Sequence, residues 1–191
     1  MHLSVRFLIP AVLATAALAQ PSEPLTATGR LKWFAVSTVG PASLAGGLFS
    51  AGWGTLYNSP REYGPHWEGF GKRYGMRLTG VSTGNAMEAS LGAIWGEDPR
   101  YVRANGAPLK NRIGHIVKMT FLARNREGGT MPAYARLMAI PGNNFLSNTW
   151  RPDSEATYSR AAFRTGMGVL GRMASNAFQE FWPDVRKRLS R

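Results

Sequence analysis

The clearest hydrophobic pattern in the chain lies in its last forty residues. Apolar side chains recur there at steps of three or four residues, in the order Phe163, Met167, Leu170, Ala174, Ala177 and Phe181. This spacing places them on one face of an α-helix. Asp153 stands at the expected N-cap, and Pro183 is expected to end the helix because proline lacks a backbone N–H. The pattern therefore predicts a long amphipathic helix, followed by a basic tail over residues 186–191.

Proline and glycine divide the preceding chain into further helical stretches. We predict helices over residues 42–57, 65–95, 108–126 and 132–138, the last of them interrupted at Pro141. No stretch shows the sustained two-residue alternation that a membrane-spanning barrel needs over many strands. The predicted fold class is therefore all-α, a single bundle of about five glycine-rich helices.

The first nineteen residues have the pattern of a secretory signal peptide. Arg6 precedes an apolar run from Phe7 to Ala19, which ends in the small-x-small sequence Ala17-Leu18-Ala19. A run of this length is too short to span a bilayer. We expect a signal peptide at 1–19, a flexible leader at 20–32 and a helical domain at 33–185. The protein is then exported to the periplasm or the outer envelope.

Small residues follow rows along two of the predicted helices. Gly80, Gly84, Gly92 and Gly96 lie at four-residue steps, a spacing that lets two helix backbones approach closely. The segment Trp33–Pro60 contains no charged residue. Two interpretations stay open: close helix packing in a soluble or membrane-peripheral domain, or a helical hairpin inserted into a membrane. Self-association through the glycine-lined helices is compatible with either.

The charge of the chain narrows the choice of partner. Its net charge of +12 falls to +11 when residues 1–19, which include Arg6, are removed. Such a charge attracts polyanions, and in an exported protein we expect anionic lipid or glycan surfaces rather than nucleic acid. The residues predicted to bind them lie on and beside the last helix: Arg160, Arg164, Arg172, Arg186, Lys187 and Arg188.

Glu88 occupies the middle of the glycine row and is expected to be buried. A buried carboxylate needs a partner, and the arginine-rich chain predicts an ion pair. The chain has no cysteine, which excludes disulfides and cysteine metal sites. His66 and His115, the two histidines after the signal peptide, have no metal-ligand spacing, so neither a metal nor a cofactor is predicted.

Two short motifs match enzyme signatures by spacing alone. Residues 80–84 read Gly-x-Ser-x-Gly, and residues 166–171 read Gly-x-Gly-x-x-Gly. Both signatures function at a turn between a strand and a helix. Here they lie inside predicted helices, which favours helix packing over a nucleophile or a dinucleotide site.

Several longer segments carry a resemblance. They are Gly71-Lys72-Arg73-Tyr74-Gly75, Glu97-Asp98-Pro99-Arg100-Tyr101, Ser147-Asn148 and Glu180-Phe181-Trp182-Pro183-Asp184. Together they make most of residues 60–185 resemble a group of uncharacterised exported bacterial proteins. The resemblance implies export and one helical domain, and it transfers no activity and no site residue.

The leading functional hypothesis is a non-enzymatic cell-envelope protein that associates with anionic membrane or glycan surfaces. The alternative is a small, hydrolase-like envelope enzyme. It would use Glu88, Glu97 or Asp98 together with His115 in a cleft between helices. A third hypothesis is an assembly or pore built on the glycine rows.

Overall fold

The computed structural model describes residues 24–190, and nearly all of its regular structure is helical. The α-helices are α1 (Ala27–Val39), α2 (Pro41–Leu56), α3 (Trp67–Trp95), α4 (Leu109–Phe121), α5 (Tyr134–Leu146) and α6 (Tyr158–Leu189). A short antiparallel hairpin joins β1 (Leu122–Arg124) to β2 (Thr130–Pro132). The predicted all-α class is confirmed. Since only Gly40 separates α1 from α2, the two count as one broken helix in a bundle of five.

Helix α1 begins inside the segment predicted to be a flexible leader. The Oγ1 of Thr26 accepts a 3.0 Å hydrogen bond from the N–H of Gly29, so the helix has a side-chain N-cap. The leader prediction is therefore wrong from residue 27 onward. The predicted signal peptide, residues 1–19, lies outside the described residues.

Two helices continue through prolines that were expected to interrupt or end them. Helix α5 contains Pro141, and α6 contains Pro183 and extends to Leu189. Each proline removes one backbone donor. In α6 the turn around Pro183 is also held by Asp184, which forms ion pairs with Arg103 and Arg112. Residues 186–188 are consequently the last turn of a helix rather than a separate tail.

The boundaries of α4 and α6 also differ from prediction. Helix α4 stops at Phe121 because the residues that follow it pair with β2, and the connecting turn includes Gly128 at φ +82°. Helix α6 is capped by Thr157, whose Oγ1 accepts from the N–H of Arg160, and not by Asp153. Hydrogen bonding to neighbouring chain segments decides both boundaries.

Helix α3 is central, packing against α1, α2 and α5, while α6 packs against α5 and α4. The buried apolar side chains are mostly alanines: Ala51, Ala123, Ala133, Ala135, Ala139 and Ala161. Charged and amide side chains are buried beside them: Arg73, Glu88, Glu97, Arg136, Asn176 and Glu180. The interior therefore combines small residues with ionic contacts.

Candidate functional site

Glu88 lies at the centre of the buried charge network. Its Oε1 accepts hydrogen bonds from the Nε of Arg136 at 3.1 Å and the Nη2 of Arg172 at 2.9 Å. Both arginines also donate to the carbonyl oxygen of Pro99, and Arg136 donates to Met119 as well. The predicted buried ion pair is thus present with two partners, and it ties α3 to α4, α5 and α6.

Glu180, which is fully buried, anchors the C-terminal half of α6. Its carboxylate accepts from the hydroxyl of Tyr101 at 2.9 Å, the N–H of Ala104 at 3.0 Å and the Nε of Arg112 at 2.7 Å. Burial opposes ionisation, but these hydrogen bonds outweigh it and hold the pKa of Glu180 below its ordinary value. Burial and the adjacent carboxylate raise the pKa of the Tyr101 hydroxyl.

Two further arginines hold loops through carbonyl groups. Arg73 donates to the carbonyl oxygens of Ser59, Pro60 and Gly64, and so fixes the turn before α3. Arg164 donates to Glu155 and Asn148 in the segment before α6. Every segment named in the sequence resemblance therefore contributes at least one internal hydrogen bond or ion pair.

The predicted anion-binding arginines do not form one surface. Arg164 and Arg172 are largely buried and occupied by internal partners, so their assignment as surface ligands is wrong. Arg160 is 57% exposed at the start of α6. It lies about 39 Å from Arg186 along the helix axis, by the 1.5 Å rise per residue. Arg186, Lys187 and Arg188 are exposed together in the last turn.

The glycine row of α3 has several roles rather than one. A Cβ on Gly84 would lie 3.2 Å from Asn143 of α5, which agrees with close helix packing. Gly96 ends α3 in the left-handed conformation at φ +72°. Apart from the neighbouring backbone of α3 itself, no atom of the described residues lies within 4 Å of a Cβ placed on Gly80. The prediction that all four glycines of the row serve to pack α3 against a second helix is therefore wrong.

Each acid and the histidine of the enzyme hypothesis is bonded to another group, and Asp98 pairs with Arg100 at 2.6 Å. Glu88 faces Arg136 and Arg172, and the Oε2 of Glu97 accepts from the N–H of Ala135 at the start of α5. The Nε2 of His115 lies 2.8 Å from the carbonyl oxygen of Val102. Two cavities of the described structure, one beside Trp150 and one beside Phe34, are lined by other residues. Within residues 24–190, no group of three or more acids or histidines could hold a metal ion.

The enzyme-like glycine motifs lie within continuous helices. Ser82 is an interior residue of α3, and residues 166–171 form part of α6. Neither motif occupies the strand-to-helix turn that its chemistry requires.

The outer face of α6 is apolar over much of its length. Phe163, Met167 and Leu170 are 61%, 46% and 54% exposed, and no exposed position between residues 161 and 179 is charged. From Ala162 to Phe178 this face is about 24 Å long, at 1.5 Å per residue. The periodicity of the sequence identifies the stripe, but the structure turns this part of it outward.

Helix α4 exposes a second apolar row. Its members recur every four residues and are 42–63% exposed: Leu109, Ile113, Val117 and Phe121. Lys110 and Lys118 are exposed on the same helix. The 2.6 Å ion pair of Arg112 with Asp184 fastens the start of α4 beside the end of α6. Lys110 therefore lies near the C-terminal end of α6, whereas Lys118 lies in the last turn of α4.

An apolar cavity of about 680 Å³ lies between α1 and α3. Its apolar lining includes Leu31, Phe34 and Ala89, and two arginines, Arg30 and Arg126, also border it. The sequence did not single out this site, because Arg126 belongs to the turn of the β-hairpin and reaches the helices only in the folded chain.

The sequence matches no protein-family profile, no curated protein and no solved structure. One helical stretch of the described residues, Ala27–Leu56, is long and apolar enough to cross a membrane by length and composition. A signal sequence or the core helix of a soluble protein passes the same test, so the stretch is weak support for a membrane span.

Proposed function

We propose that this chain is an exported, non-enzymatic protein of the cell envelope that associates with anionic lipid membranes. The observation that carries the proposal is the pair of exposed apolar rows on α4 and α6, with exposed cations on α4 and in the last turn of α6. A helix that combines an exposed apolar face with lysine and arginine suits the interface of an anionic membrane.

The apolar rows favour a lipid surface over an acidic glycan. Transfer of apolar side chains out of water is worth roughly 25 cal/mol for each Å² removed. A bilayer interface offers this gain to the row Leu109–Phe121, whereas a hydrated glycan does not. Binding by electrostatic attraction alone would leave these apolar side chains in contact with water on a bilayer as well as on a glycan.

The cations add an electrostatic contribution. Five exposed side chains lie on α4 and in the last turn of α6: Lys110, Lys118, Arg186, Lys187 and Arg188. Each basic side chain near an anionic surface contributes about 1 kcal/mol, and salt screens the attraction. Electrostatic attraction therefore brings the protein to the membrane, and burial of the apolar rows stabilises the bound state.

Vesicle flotation tests the proposal. The protein without residues 1–19 is mixed with neutral phosphatidylcholine vesicles or with vesicles that also contain an anionic phospholipid, at about 0.1 M and about 1 M salt. We expect stronger binding to the anionic vesicles at the lower salt concentration and a smaller preference at the higher one. Equal binding to both vesicle types, or no binding at either salt concentration, would overturn the proposal.

Two sets of variants separate the contributions of charge and apolar area. The triple variant Arg186→Gln, Lys187→Gln, Arg188→Gln should reduce binding to anionic vesicles at low salt. The single-site control Lys72→Gln removes one exposed cation that already pairs with Glu68 at 2.6 Å, and should bind like wild type. An equal loss in the control would show a dependence on net charge instead of this end of the molecule.

A further inference from the structure

The cavity between α1 and α3 has apolar walls. Leu25, Leu31 and Phe34 approach from the side of α1, while Ala86, Ala89 and Ala93 line it from α3. Its volume of about 680 Å³ lies within the range of small-molecule binding sites. These walls suit an alkyl chain.

Two guanidinium groups border this cavity near the C-terminal end of α3. Arg30 donates to the carbonyl oxygens of Ala89 at 3.5 Å and Glu97 at 2.9 Å. Arg126 donates to the carbonyl oxygen of Ala93 at 2.7 Å. The described residues give neither arginine a salt bridge to a carboxylate. Since a guanidinium has five N–H donors, both retain donors for an anionic ligand.

Glycines make room for both side chains. A Cβ on Gly92 would lie 2.8 Å from the Nη1 of Arg30, and one on Gly96 would lie 2.8 Å from the Nε of Arg126. Gly92 and Gly96, two members of the glycine row, therefore leave the space that Arg30 and Arg126 occupy beside the cavity.

The two charges are close enough to influence each other. Burial lowers the pKa of Arg30, nearby Asp98 opposes the shift, and the positive charge of Arg126 adds to it. An anion placed between the two arginines would relieve this repulsion and accept hydrogen bonds from both.

We propose that this cavity binds an anionic single-chain amphiphile, with its alkyl chain along α1 and α3 and its carboxylate at Arg30 and Arg126. This site goes beyond membrane association, because it holds one ligand per chain at a defined place. It uses none of the residues on the outer rows of α4 and α6, so each proposal can fail without the other.

Dodecanoate, dodecanol and dodecyltrimethylammonium are suitable probes, since they share a chain and differ in head group. Binding of each to the protein without residues 1–19 is measured calorimetrically below its critical micelle concentration. We expect one dodecanoate per chain and weaker binding of the other two. Equal binding of all three, or no binding of dodecanoate, would overturn the proposal. Copurification of a two-chain phospholipid in its place would overturn the single-chain assignment.

Variants locate the site. Arg126→Gln should weaken dodecanoate binding by about tenfold or more, because hydrogen bonds to charged groups are among the stronger ones, and should leave dodecanol unchanged. Lys32→Gln is the matched control, since it removes an exposed cation of α1 that does not line the cavity. Ala86→Phe should obstruct the cavity and weaken both ligands, whereas Ala174→Phe on the exposed face of α6 should weaken neither. Unchanged dodecanoate binding in Arg126→Gln would contradict the assigned head-group position.

Discussion

Buried ionic side chains make many of the contacts between helices. Glu88 neutralises part of the charge of Arg136 and Arg172, while Glu180 does the same for Arg112. Burial disfavours the charged form of Arg172 and lowers its pKa to about 10, but the nearby Glu88 carboxylate opposes the shift. The side chain therefore remains protonated at neutral pH, and removal of Glu88 would leave uncompensated positive charge in the interior.

Replacement of Glu88 by glutamine should destabilise the protein by about 3 kcal/mol, since it removes one side of a buried ion-pair network. Urea unfolding followed by circular dichroism measures the change. Glu68→Gln is the control, because Glu68 pairs with Lys72 at an exposed position of the same helix and should matter little. Equal stability of the two variants would show that the Glu88 network contributes nothing.

The buried acids Glu97 and Glu180 should give opposite pH dependences. Burial raises the pKa of Glu97, so its stabilising contribution is full below the unfolded pKa of about 4.3 and falls as pH rises. Hydrogen bonds lower the pKa of Glu180, so its contribution is present above that pH and falls on acidification. Relative to wild type, Glu97→Gln should gain stability as the pH rises above about 4.3, whereas Glu180→Gln should lose stability as the pH rises toward about 4.3 from below and then stay at a constant deficit.

Urea unfolding at a series of pH values measures these slopes. Glutamine at position 97 keeps an acceptor for the N–H of Ala135, so the comparison isolates the charge. Parallel pH profiles for the two variants would contradict the assigned pKa directions.

At the scale of the element, the helices contain two kinds of glycine: some lie in close contact with a neighbouring helix, and others face open space. In α6, Gly168 lies against Ile140 of α5, and a Cβ there would approach that side chain to 2.8 Å. Gly166 and Gly171 have open space around the position of a Cβ. Local sequence does not distinguish them, because the difference depends on which side of α6 meets α5.

Alanine at the open positions should strengthen α6. Gly166→Ala and Gly171→Ala should each stabilise the protein by about 0.5–1 kcal/mol, the helix-propensity difference between the two residues. Gly168→Ala should yield less or destabilise, because Ile140 must move. Thermal and urea unfolding of the three variants tests this ranking. The same gain at all three positions would exclude the close contact between α5 and α6.

The helix boundaries show which structural features local sequence patterns predict and which they do not. The predictions for α2 and α3 are confirmed to within two residues at each end, because each has proline near its start and a turn sequence at its end. The predictions that Pro141 interrupts its helix and that Pro183 ends its helix are wrong. For Pro183, the compensating ion pairs link residues more than seventy positions apart, which local patterns do not show.

At the scale of the whole molecule, several charged side chains are buried, and apolar side chains lie along several outer faces. Hydropathy averaged around a whole helix understates this arrangement in α6, because its inward Arg164 and Arg172 enter the average. Only the side chains on the exposed face of α6 determine which partners that surface can bind. This arrangement supports membrane association through apolar area as well as through charge.

In an envelope fraction, the wild-type protein should remain with membranes after a wash with about 1 M salt, since that concentration screens exposed cations but does not weaken apolar contacts. The double variant Ile113→Ser, Val117→Ser should be released by the same wash. Lys110→Gln should be retained. Complete release of the wild-type protein by salt would show attachment by charge alone.

The sequence alone determined the helical class, the excess of positive charge and the apolar and glycine-lined faces, because these depend on composition and on spacing within one helix. Glu88 was also identifiable, since a carboxylate among small residues needs a partner. Only the tertiary structure decided which faces turn outward, since helical periodicity gives the angle between residues and not the direction of the core. It also decided which arginines remain exposed: Glu88 and Arg172 are 84 residues apart, and only packing brings them together.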